Sequence, residues 1–79
     1  MDRTMSLYDI KPGERAKIDE LCMDGSMRRR LLDIGLVKDT LVECVGRSAG
    51  GDPSAYLIRG AVIAIRSEDS KNILITHCG

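Results

Sequence analysis

The apolar residues of this chain never run for long, and that limits what it can build. The longest wholly apolar run is Ala61 to Ile65. Turn-forming residues cut the rest into pieces: Pro12-Gly13, the stretch Ser48-Ala49-Gly50-Gly51-Asp52-Pro53, and Gly60. Apolar runs this short, bounded by Gly, Pro, Asp and Ser, make strands rather than long helices. They also fall far below the ~18 apolar residues that a membrane-spanning helix requires, so no membrane insertion is expected. A chain of 79 residues makes one domain, expected over 1–79 with its core at about 7–76. Such a domain buries only about 60% of the surface its unfolded form exposes.

Composition excludes several function classes. The chain has no Trp and no Phe, and its aromatics are Tyr8 and Tyr56. Platforms for stacking nucleic-acid bases, and the aromatic grooves that grip proline-rich peptides, are therefore missing. Twelve basic residues balance twelve acidic ones, without the basic excess that phosphate-backbone binding calls for. Nucleic acid is not an expected partner. Cys22, Cys44 and Cys78 are an odd, widely spaced set, which fits a reducing, cytoplasmic setting. Arg3, Asp9 and Lys11 interrupt any apolar stretch near the start, so no secretory signal is read there.

Along the chain, the apolar cluster Leu7, Tyr8 and Ile10 ends at Pro12-Gly13, whose order fits a type II turn. A strand follows from Glu14 to Cys22, with Leu21 out of phase after Ala16 and Ile18, which predicts a bulge or the strand's end near Glu20. Ser26 to Ile34 is the one helical segment. Ser26 is the expected N-cap, Gly35 the left-handed closing residue, and Leu36 folds back on Leu31. Met27, Leu31 and Ile34 form the core-facing stripe. Strands are predicted over Thr40–Arg47, Ala55–Arg59, Ala61–Arg66 and Ile73–Thr76, with Gly60 reversing the central hairpin. Ser67-Glu68-Asp69 caps and starts a single helical turn, with Lys71 near its end. The prediction is a mainly β domain, a small barrel of about five strands closed on itself around one inserted helix.

Candidate chemistry is sparse. Structural zinc sites use ligand pairs separated by two to four residues, and no such pair of Cys or His occurs. His77 and Cys78 are adjacent, so in a strand they point to opposite faces. Cys44 reads as a small buried hydrophobe. His77 is the only histidine and has no Ser or Asp near it in sequence to orient it. The carboxylates of Asp19, Glu20, Glu43 and Glu68 are scattered over separate elements, and Gly50-Gly51 leads to Asp-Pro rather than into a phosphate-binding helix. No catalytic, cofactor-binding or metal-ligating residue is assigned, and no enzyme activity is expected.

Arg28-Arg29-Arg30 is the strongest local charge feature. One reading is a solvated helix face with Arg29 paired to Asp33 one turn on. Leu32, however, widens the apolar arc of the helix, and Arg28 falls between Leu31 and Leu32 on it. Either Leu32 is exposed, or Arg28 lies along the packed surface and finds a carbonyl or carboxylate. An apolar anchor ringed by guanidinium groups is interface composition. The candidate partner-binding set is Arg28, Arg29, Arg30, Leu32 and Leu36 on and after the helix, with Arg47 and Asp52 from the loop expected beside it.

Taken in order, these pieces resemble the FeoA (ferrous iron transport protein A) family over about Leu7 to Ile75. The features that carry the resemblance are Leu7 with Pro12-Gly13-Glu14, Arg30-Leu31-Leu32-Asp33-Ile34-Gly35-Leu36, Asp52-Pro53, and Gly60 followed by Ala64-Ile65-Arg66. Lys38-Asp39 stands where family members often have Pro-Gly, and Ala49 where a proline is common; Asp tolerates turn geometry better than most residues. The resemblance implies an SH3-like barrel similar to the C-terminal domain of iron-dependent repressors. It also implies a bacterial cytoplasmic partner of the membrane GTPase transporter FeoB. The alternative it offers is a transition-metal-binding or metal-sensing module like the repressor domain.

Overall fold

The computed structural model describes residues 5–78, with side chains as far as Thr76. The outermost residues of the expected 1–79 domain, and the side-chain reading of His77 and Cys78, lie outside the described residues. The elements in order are β1 (Met5–Ser6), a 3-10 turn (Leu7–Asp9), β2 (Arg15–Leu21), α1 (Gly25–Asp33), β3 (Leu41–Arg47), β4 (Ser54–Ile58), β5 (Ala61–Ile65), the one-turn helix α2 (Ser67–Ser70) and β6 (Ile73–Cys78).

All the strands join one sheet in the order β1-β6-β2-β3-β4-β5, antiparallel throughout. The five expected strands are present. The sixth, β1, pairs Met5 with Ile75 and Ser6 with Leu74, and two residues carry no periodicity by which to announce themselves. Among the described residues the expected closure does not occur, because β1 and β5 remain the two ends of an open sheet. The inner faces nonetheless meet in one core. Ile18, Val42, Tyr56, Ile65 and Ile73 come from five different strands, and Leu31 and Leu36 plug the cluster from the helix side. Burying each Leu or Ile contributes roughly 1.5–3 kcal/mol, so this shared cluster is the main source of stability.

Local chemistry explains the junctions. Glu14 N–H donates to Lys11 C=O at 2.9 Å and Gly13 has φ +95°, which makes Lys11–Glu14 the expected type II turn. In β2, Ile18 pairs with Ile75 but Glu20 with Leu74, so a bulge at Asp19 returns Leu21 to the core face. The segment after the helix seals that bulge: Ile18 N–H donates to Thr40 C=O, and Asp39 N–H to Ile18 C=O. Asp39 adopts φ +71° there, the left-handed turn that Asp tolerates better than most residues. The β4–β5 hairpin turns through Arg59 (φ +49°) and Gly60 (φ +86°), the type I′ geometry that matches strand twist.

The helix differs from expectation at its start and agrees at its end. Asp24, not Ser26, is the N-cap, and the helix opens at Gly25. Gly25 has φ +76°, so the chain swings into the helix two residues earlier than a Ser26 cap would allow. At the other end Gly35 N–H donates to Leu32 C=O and Leu36 N–H to Leu31 C=O, both at 3.0 Å. This is the Schellman pair, with φ +103° at Gly35 and the buried Leu31–Leu36 pair beside it. Met27 and Ile34 pack half-buried against the core on either side of Leu31.

Candidate partner-binding surface

The arginines leave the core entirely. Arg28, Arg29 and Arg30 are exposed. Among the described residues, the expected Arg29–Asp33 pair does not form: the only ion pair is Lys38 to Asp19 at 2.8 Å. Nor does Arg28 find a carbonyl or carboxylate. Its guanidinium stays in solvent, which leaves it free for an external acceptor. Leu32 is half-buried, packing on the core with part of its surface. Its remaining surface opens into a shallow depression shared with Asp24, Ser26, Arg28, Arg29 and Asp33. Leu32 is therefore partly packed and partly exposed.

On the opposite flank of α1 a groove of about 290 Å³ runs between the helix and β5. Met27, Ile34 and Ile63 line it, and Arg30, Arg66 and Asp69 stand at its rim. Arg30 thus faces this groove, whereas Arg28 and Arg29 face the Leu32 depression.

The other candidates sit elsewhere. Leu36 has no exposed surface and belongs to the core, because the Schellman reversal turns it inward. Arg47 is half-buried and tied down by the fold. Its Nη2 donates to the Tyr8 carbonyl at 3.1 Å and the Ile10 carbonyl at 2.9 Å, and its Nε to Ser54 Oγ at 2.8 Å. Its guanidinium also stacks 4.8 Å from the centre of the Tyr8 ring. Asp52 accepts from Ser67 N–H at 2.7 Å through Oδ1 and from Ser67 Oγ at 3.3 Å through Oδ2. The Arg47–Pro53 loop is not beside the helix face as expected. Ala64 of β5 borders the α1 groove on one side and a hollow against the loop on the other, so the strand separates the two.

Sequence reasoning missed the outer face of the sheet. Leu41, Val45, Leu57 and Val62 are large apolar residues left exposed there. In β3 both faces carry apolar residues, Val42 and Cys44 inward and Leu41 and Val45 outward, so alternation alone does not tell the faces apart.

Cys22 is exposed and Cys44 is buried, and among the described residues no three His, Cys, Asp or Glu side chains converge. Among the described residues no helix is long and apolar enough to cross a membrane.

The architecture is that of a small SH3-like β domain carrying one inserted helix, and its solved likenesses share it. The FeoA protein from Chlorobium tepidum is 27% identical with a TM-score of 0.90, over 95% of this chain and 71% of that one. Iron(II) transport protein A from Clostridium thermocellum is 28% identical with a TM-score of 0.90, over 95% of this chain and 46% of that longer one. A manganese-dependent transcriptional repressor is 17% identical with a TM-score of 0.86, over 99% of this chain and 38% of that one, and shares the fold. Among curated proteins none matches. The FeoA domain family matches residues 5–77, and the chain belongs to that family.

Proposed function

We propose that this protein is a cytoplasmic accessory factor of bacterial ferrous iron uptake that binds the cytosolic side of the FeoB membrane GTPase and catalyses no reaction itself. The observation that carries the reading is the outer face of α1. Arg28 and Arg29 are exposed with no acceptor among the described residues, and they flank a Leu32 that is only half covered. Arg around an apolar anchor is the composition enriched at interface centres. The matching partner surface presents carboxylates around an apolar socket. Membership of a family named for ferrous iron transport supports the choice of partner. The metal-sensing alternative draws on the repressor-like fold alone, and no converging ligand set among the described residues supports it.

The test is to measure binding and GTP hydrolysis for the full transporter and for its isolated G domain, with and without this protein. Saturable binding to either supports the proposal. No binding to either, with both proteins folded, overturns it.

A further inference from the structure

β5 ends the sheet, and β4 is its only hydrogen-bonded neighbour. The direction of its free groups follows from the hairpin. A two-residue type I′ turn places a hydrogen-bonded pair immediately beside it, here Ile58 with Ala61. Alternation then makes Tyr56–Ile63 and Ser54–Ile65 hydrogen-bonded pairs as well. Val62 and Ala64 are left with N–H and C=O pointing away from β4, and among the described residues no other backbone group meets them. The usual protections of a sheet edge are missing, since Ala61-Val62-Ile63-Ala64-Ile65 has no charge, no proline and no bulge.

α1 stands beside this edge without covering it. The groove of about 290 Å³ lies between them, and Val62 remains 63% exposed. Ala64 borders the groove, so the free edge opens along it. Met27, Ile34 and Ile63 make its walls apolar, each of them half-buried. Three guanidinium groups surround these walls. Arg30 and Arg66 stand at the rim, and neither side chain has a hydrogen-bond or ion-pair partner among the described residues. Arg59, at the hairpin tip, lies over Gly35 just past Ile34, where an added Cβ would collide with its side chain. Asp69 is the one carboxylate among the lining residues. The groove thus carries a local positive excess in a chain of formal net charge zero.

We infer that this edge takes an extended peptide segment with an apolar residue flanked by carboxylates, bound as an added strand between β5 and α1. An extended backbone is what pairs with a row of edge amides and carbonyls, while pockets beside it select alternate side chains. The groove lies below the ~300–1,000 Å³ of pockets that enclose drug-sized molecules, but it suits single side chains. With α1 flanking the edge, the place is for one strand rather than for a second sheet.

Paired antiparallel, the peptide residues opposite Val62 and Ala64 exchange backbone bonds with them and keep their side chains on the outer face. The residue between them lies opposite Ile63, and side chains opposite one another share a face of the sheet. It therefore enters the groove against Met27 and Ile34. The next groove-side residues, two places away on either side, lie opposite Ala61 and Ile65. Carboxylates there fall toward Arg59 at one end, and toward Arg66 and Arg30 at the other, where two cations outweigh Asp69. The inference does not rest on the transporter as partner, and the groove is on the opposite flank of α1 from Arg28, Arg29 and Leu32.

The probe is a short blocked peptide with isoleucine at its centre, glutamate two places away on each side, and threonine elsewhere. It is titrated into the full chain and followed by amide and methyl spectra. Saturable shifts are expected at Val62, Ala64, Met27, Ile34 and Ile63. N-methylation of the two threonines beside the isoleucine removes the donors facing Val62 and Ala64 but keeps every side chain, and should weaken binding about tenfold or more. Replacing both glutamates by lysine should do the same. With the Arg30→Glu/Arg66→Glu variant the preference should reverse, the lysine peptide binding more tightly than the glutamate one. Both positions are exposed; should that variant fail to fold, the changes made in the peptide still decide on the native protein. No saturable shift at millimolar peptide overturns the inference. So do shifts confined to Arg28, Arg29 and Leu32, or an N-methylated peptide that binds as tightly as its parent.

Discussion

Arg47 and Tyr56 show how single side chains hold the sheet to the N-terminal turn. Arg47 reaches the carbonyls of Tyr8 and Ile10 and the Ser54 hydroxyl, an arrangement that depends on a planar fork of donors. Arg47→Lys keeps the charge but loses that fork. Because bonds to charged groups contribute about 1.5–3 kcal/mol each, we expect the variant to lose roughly 2–4 kcal/mol in urea unfolding. Arg47→Ala should lose at least as much.

Tyr56 is fully buried, and burial raises its phenol pKa above the ordinary tyrosine value. The unfolded chain therefore releases the Tyr56 proton at a lower pH than the folded chain. The contribution is fully present below pH ~10 and is lost as the pH rises through the higher folded value. Stability is expected to fall in that alkaline window. Tyr56→Phe should flatten the decline and cost about 0.5–1.5 kcal/mol at neutral pH, since the hydroxyl donates to the Leu7 carbonyl at 3.4 Å and also meets Ser54, Ser70 and Arg47. Denaturant midpoints measured across alkaline pH check both parts.

Neither role was legible in the sequence. Arg47 looked like a loop cation because its acceptors lie 37 and 39 residues away. Local pattern carries no information about such a contact.

At the scale of elements, termini and turns decide where the sequence could be read. The exit of α1 was legible in full: Gly35 and Leu36 specify the Schellman reversal by residue type alone. Its entrance was not, because Gly25 supplies the turn that Ser26 was expected to make. The short helix α2 shows the same limit. Its cap comes from Asp52, across the hairpin, rather than from its own first residue. Asp52→Ala is expected to cost about 0.5–2 kcal/mol, with faster amide exchange concentrated in Ser67–Lys71. Asp52→Asn, which keeps one acceptor oxygen, should recover part of the loss.

For α1, Leu32 is half-buried, so Leu32→Ala should destabilise by about 1–2 kcal/mol, less than the 2–5 kcal/mol of a fully buried leucine. The helix should persist, as far-ultraviolet circular dichroism would show.

Across the whole molecule, fold class, strand positions and family were legible because short apolar runs and Gly/Pro punctuation are local signals. The open sheet, the two-residue β1 and the separation of the Arg47–Pro53 loop from α1 are long-range outcomes that those signals do not encode. The candidate surface contracts accordingly. Arg28, Arg29 and Leu32 remain on one face, Arg30 turns to the β5 groove, and Leu36, Arg47 and Asp52 hold the fold together. The proposed function then rests on Arg28 and Arg29, exposed and without partners among the described residues, which charge reversal can change without touching the core. The deciding measurement is a titration of the transporter's cytoplasmic region with the native chain and with the Arg28→Glu/Arg29→Glu double variant, at low and high salt, alongside thermal melts of both. We predict matching melts, an affinity lowered about tenfold or more by the double variant, and native binding that weakens with salt. Equal affinities for two equally stable proteins would contradict the assignment of this face as the binding surface.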